Sequence, residues 1–124
     1  MDWLNANLYR ELGYNLVYPQ LFPHHARQSE EGTRATIAWG SEKTRHWLGI
    51  LDKHFIGDSS DYICLDRLTL ADYLASGQVG LAEAVSFDFS EFPNVDRWLR
   101  NMKTLASWDK VNGGFYQMIS AMAA

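Results

Sequence analysis

The chain has 124 residues, 47% of them hydrophobic and 14% aromatic: enough for one domain with a real core, too few for two ordinary ones. That composition excludes a disordered segment. Eleven Lys and Arg against fifteen Asp and Glu give a net charge of −4, and no two basic residues are adjacent, so the basic stripe that holds nucleic acid is missing.

Leu4, Leu8, Leu12 and Leu16 recur every four residues with polar residues between them, which predicts a first amphipathic helix. Gly13 weakens it, and Pro19 and Pro23 predict a bend or an end near Tyr18. A second helix is expected after "RQSEEG", with Ile37, Thr44, Leu48, Leu51 and Phe55 on one face, and "IGDSSD" reads as a loop. The third helix is expected to open at "RLTLADYL" and to run through Leu70, Leu74, Leu81 and Val85. Gly77 and Gly80 lower its propensity by about 1 kcal/mol each against Ala, and their spacing suggests the close approach of another helix.

"EFPNVDRWLRNMKTL" predicts a fourth helix with Pro93 in its first turn and Val95, Trp98, Leu99, Met102 and Leu105 as its apolar stripe. "SWDKVNGGFYQMISAMAA" follows as a last helix or two, with Ser107 as cap and Gly113-Gly114 as a bend. No stretch alternates as a strand does. About five helices joined by short loops make an all-α bundle, a single domain over residues 1–124.

The opening of the third helix is a capping box written with Asp. Thr69 at the N-cap accepts from the N–H of Asp72, and Asp72 reaches back to the N–H of Thr69. Leu68 and Tyr73 flank the pair as an apolar staple. Loss of the Thr69 cap should cost about 1 kcal/mol. This motif shapes the fold and carries no chemistry.

"LDRLTLADYL" followed by "FPNVDRWLRNM" resembles the C-terminal helical domain of cytosolic glutathione S-transferases, and "DWLNANLYRELGYNLVYPQ" looks like the first long helix of that domain in theta-like and related bacterial members. The resemblance covers essentially the whole chain. One departure is Leu65 before Asp66, where the family often has Gly, so that turn is expected to be built differently here. The resemblance implies a parent enzyme that joins glutathione to hydrophobic electrophiles as a cytoplasmic homodimer. The thioredoxin-like domain that binds glutathione as co-substrate is absent from this chain, which is therefore expected to be a C-terminal fragment or a domain expressed alone, inactive by itself. A non-catalytic interaction module of the same fold is the alternative.

In that family the helical domain lines the electrophile pocket, and the corresponding candidates are Asn7, Arg10 and Tyr14, about one turn apart on the first helix. Arg10 would steer an anionic group, and Tyr14 would offer an aromatic wall and a hydroxyl. The competing reading makes all three solvated or interface residues. His24, His25, His46 and His54 lack the spacing of a metal site, so no metal is expected. Cys64 has no internal disulfide partner, which fits a reducing compartment, and "YICLDRL" reads it as a buried small hydrophobe. Trp98 and Trp108 are read as core, and Trp39 as either a dimer contact or core. No apolar run reaches bilayer length and no signal-peptide layout opens the chain, so no membrane association is expected.

Overall fold

Five helical segments and no strand carry the chain in the computed structural model, which describes residues 1–124. Helix α1 spans Leu4–Val17 in a wide winding with i→i+5 bonds and continues as a tighter turn, Tyr18–Leu21. Helix α2 covers Glu30–Ile50 and runs on into a second wide segment, Leu51–Ile56. Helix α3, Leu70–Gly80, tightens into a 3₁₀ turn at Leu81–Val85. Helices α4, Pro93–Lys103, and α5, Trp108–Ala123, complete the bundle. No helix is long and apolar enough to cross a membrane.

Each leucine of the four-residue repeat in α1 is buried, and α1 packs chiefly against α2. A Cβ on Gly40 would lie 2.6 Å from the Asn15 carbonyl carbon and 2.8 Å from the Leu16 nitrogen, so the two backbones meet there. The expected close approach at Gly77 is absent, since nothing lies within 4 Å of its Cβ position, and Gly80 has only the Trp108 ring at 4.0 Å. Helix α1 also runs past Tyr18 to Leu21, with Pro19 at the start of the tighter segment, where the winding changes.

The start of α2 lies inside the polar segment assigned to the linker. Ser29 is its cap, the side chain accepting from the Gly32 N–H at 3.0 Å, with Glu30 and Glu31 at the positive end of the dipole.

Thr69 and Asp72 form the reciprocal box at the start of α3. Asp72 has no exposed surface, and its carboxylate serves more than the cap. Oδ2 accepts from the Thr69 N–H at 2.9 Å and its hydroxyl at 3.2 Å, while Oδ1 accepts from the Ile63 N–H at 3.0 Å and the Trp98 indole N–H at 2.9 Å. One carboxylate thus joins α3, the preceding loop and α4. This inward Asp72 fixes the rotation of α3, and the buried face becomes Asp72, Ala75, Ser76 and Val79, spaced three, four and seven apart. Leu70 is consequently 72% exposed, and Leu74, Leu81 and Val85 are partly buried against the core. Leu68 packs against the core, whereas Tyr73 is half exposed.

Asp52 does for α4 what Asp72 does for α3, from a different helix. Its Oδ1 accepts from the Val95 N–H at 2.9 Å, and its backbone carbonyl accepts from Asn94 Nδ2 at 3.1 Å. Arg97 donates to the carbonyls of Gly57 and Ser60 at 2.9 and 2.7 Å, which pins the loop after α2. Val95, Trp98, Leu99 and Met102 are buried and Leu105 is half-buried.

Three expectations at loops, caps and bends are corrected. Cys64 is exposed, because Leu65 and Asp66 both take left-handed backbone angles (φ 57° and 50°) and turn the segment outward. Leu65 occupies the very slot where glycine would carry no strain. Ser107 stands at the N-cap of α5, but its own helical backbone angles keep the hydroxyl from capping, and the helix runs through Gly113-Gly114 without a break.

Candidate functional site

Between α1 and α3 lies an open groove of about 520 Å³, lined by Asn5, Tyr9 and Tyr18 from one side and by Tyr73, Gln78 and Leu81 from the other. The Tyr9 and Tyr18 hydroxyls meet at 2.6 Å. Burial and then the Tyr9 hydrogen bond and charge push the Tyr18 hydroxyl well above the usual tyrosine range, so it stays protonated near neutral pH. Tyr14 packs edge-on against both rings, with centroids 5.5 and 5.2 Å away, and the His25 ring stands 5.1 Å from Tyr18.

Across the groove, Gln78 Nε2 donates to Asn5 Oδ1 at 2.7 Å. Gln78 is 7% exposed and its Oε1 has no hydrogen-bond partner, an uncommon state for a buried acceptor. The groove therefore combines aromatic walls, two hydroxyls and a carboxamide pair. It suits an apolar ligand carrying a polar group.

None of the three residues picked from the sequence lines this groove. Arg10 is exposed, and its Nε and Nη2 donate to Glu11 Oε1 at 3.2 and 3.1 Å. Glu11 is itself buried and also accepts from Asn15 Nδ2 at 2.7 Å. Asn7 is half-buried, and Tyr14 reaches the groove only through the rings of Tyr9 and Tyr18. Sequence reasoning missed Tyr9, Tyr18, Asn5 and Gln78. At 3.6 residues per turn, nine residues make two and a half turns and place Tyr9 and Tyr18 on opposite sides. The i→i+5 winding has more residues per turn and carries them round to the same side.

His24 and His25 have ring centroids 4.6 Å apart, and His46 and His54 pack against Trp47 and Phe55. No three His, Cys, Asp or Glu side chains gather where they could hold a metal ion. Trp98 and Trp108 are core. Trp39 is 54% exposed, with the Lys43 ammonium 4.5 Å above its ring, so the core account of Trp39 falls.

A family model described as the glutathione S-transferase C-terminal domain matches residues 13–105. Glutathione S-transferase D6 of Drosophila melanogaster is 32% identical over 110 residues, which covers 86% of this chain and 48% of that protein. Glutathione S-transferase D7 of the same fly is 36% identical over 70 residues, covering 56% of this chain and 30% of that protein. The chain thus spans about half the length of the first relative. No solved structure matches it.

Proposed function

The chain belongs to the glutathione S-transferase C-terminal domain family, and we propose that it is the helical half of an enzyme joining the glutathione sulfur to a hydrophobic electrophile. The other half is a thioredoxin-like domain, which binds the tripeptide and supplies the group that holds its thiolate. The helical half holds the electrophile near that sulfur, so that a bimolecular step becomes effectively unimolecular. By itself it lacks the nucleophile's site and is inactive.

The observation that carries this reading is the hydroxyl-lined aromatic groove on α1, the helix that supplies the electrophile wall in the resemblance. Tyr9 and Tyr18 form the wall. Tyr14 backs it, and Arg10, exposed on the same helix, attracts anionic co-substrate from solution. Asn7 lies beside them on the same helix. The parent is a homodimer, and Trp39 with Lys43 above it supports a contact on α2, where an exposed indole is otherwise hard to account for. Within the family the sequence of α1 suggests a theta-like or related member; the named relatives are insect proteins, which lends no support to a bacterial class. An exposed, unpaired Cys64 suits a reducing cytoplasm.

The test has two arms. The isolated chain, mixed with glutathione and a chlorinated aromatic substrate, should show no turnover above the uncatalysed rate, and robust turnover would overturn the half-site reading. In the full-length parent, Tyr18→Leu should raise KM for the aromatic substrate about tenfold, as expected for about 1.4 kcal/mol of lost binding, with KM for glutathione unchanged. An unchanged electrophile KM would remove the groove from the site.

A further inference from the structure

Helix α5 is sixteen residues long, yet Trp108 at its start is its one buried residue. Beyond it, a single side chain makes a polar contact with the rest of the bundle: the Tyr116 hydroxyl donates to Glu83 Oε1 at 3.4 Å. The same oxygen takes the Lys103 ammonium of α4 at 2.6 Å, and that ammonium stands 5.9 Å from the centre of the Tyr116 ring. Three elements, the 3₁₀ turn after α3, the end of α4 and the middle of α5, therefore meet at one carboxylate oxygen. Lys103 and Glu83 are only about a third and a quarter exposed, so this pair is less screened than the other ion pairs of the surface.

Past the contact, Ile119 and Met122 of α5 close a cavity of about 330 Å³ against Leu21 of α1 and Ala84 of the 3₁₀ turn. Glu83 and Ser86 line that cavity and also a second one of about 290 Å³ on the α4 side, beside Phe87 and Arg100. Glu83 and Ser86 thus stand between the two.

We propose that Glu83, Lys103 and Tyr116 form a latch that holds α5 against the bundle, with Trp108 as the fixed hinge. Opening it frees residues 109–123 as a unit and uncovers the cavity behind Ile119 and Met122. Glu83 lines both cavities, so an anion in the α4-side cavity that competes for Lys103 would weaken the latch. A helix so sparsely packed draws little stability from burial, and its release costs less than global unfolding.

Hydrogen exchange followed by mass spectrometry on the full 124-residue chain tests this. Glu83→Gln should speed exchange of peptides from residues 109–123 about fivefold, the change expected for losing a partly exposed ion pair, with peptides from α1 and α2 unchanged. Tyr116→Phe, which keeps the ring and the fold, should act in the same direction and less strongly. Raising salt to about 1 M should move the unmodified chain toward the Glu83→Gln behaviour, since the Debye length then falls to about 3 Å. If both variants leave residues 109–123 at the original rate, there is no latch. If every helix speeds up together, Glu83 supports the whole fold and the hinge at Trp108 is refuted.

Discussion

Asp72 shows how much a single carboxylate can organise. Four donors converge on it, two from Thr69, one from the loop at Ile63 and one from the Trp98 indole, and the side chain is fully buried. A buried acceptor with this many partners is costly to alter, because each orphaned donor carries its own desolvation penalty. Asp72→Asn should therefore lower stability by about 3 kcal/mol, against about 1 kcal/mol for Thr69→Ala, which removes the cap and one of the four donors but leaves the other three in place. Urea midpoints of the two variants give the ratio directly. Equal losses would mean that the links to Trp98 and Ile63 contribute nothing. The cap was legible in the spacing of Thr69 and Asp72. The indole partner was not, because no local pattern connects residues 26 apart in the chain.

Among the elements, the contact between α1 and α2 is the tightest, and its test is glycine against alanine. At Gly40 a methyl group would strike the Asn15 and Leu16 backbone, which cannot step aside as a flexible side chain could. Gly40→Ala should cost about 2 kcal/mol as overpacking. Gly49, in the same helix with nothing within 4 Å, should gain about 0.5–1 kcal/mol on the same change. Opposite signs from two glycines nine residues apart would locate the helix crossing without a structure, and matching signs would refute it. Helix positions were readable because leucines at regular spacing and Pro93 in a first turn are local signals. The side chains of the groove were hidden by the winding of α1, which no residue identity announces. In retrospect, a strict repeat of four is longer than a 3.6-residue turn, and that excess was the one available hint. The buried face of α3 was illegible for a different reason: hydropathy alone does not turn an aspartate inward, and the four donors that hold Asp72 there include an indole from another helix.

At the scale of the whole molecule, the three partly buried groups with displaced protonation, Tyr18, Lys103 and Tyr116, point toward alkaline pH. Tyr18 is raised by burial and by Tyr9, and Tyr116 by burial and by the Glu83 charge. Lys103 is pulled down by burial, but its hydrogen bond and charge interaction with Glu83 more than offset that, and the net shift is upward. A group whose folded pKa lies above its unfolded value contributes in full below the unfolded value, about 10 for Tyr and Lys, and loses that contribution as pH climbs through the folded value. All three stabilising contributions should thus be constant through neutrality and fade together above about pH 10. The chain is already at −4 near neutral pH, and neutralising lysines there adds self-repulsion in the same direction. Asp88, lowered by its hydrogen bonds from Ser90, is fully exposed and leaves the acid side nearly flat by comparison. Urea midpoints measured from pH 7 to pH 11 should hold steady and then fall, with tyrosinate absorbance appearing later in folded than in unfolded chains. Tyr116→Phe should blunt the fall. A midpoint that stayed level to pH 11 would show that neither the hydroxyl pair of the groove nor the Glu83 cluster contributes to holding the bundle together.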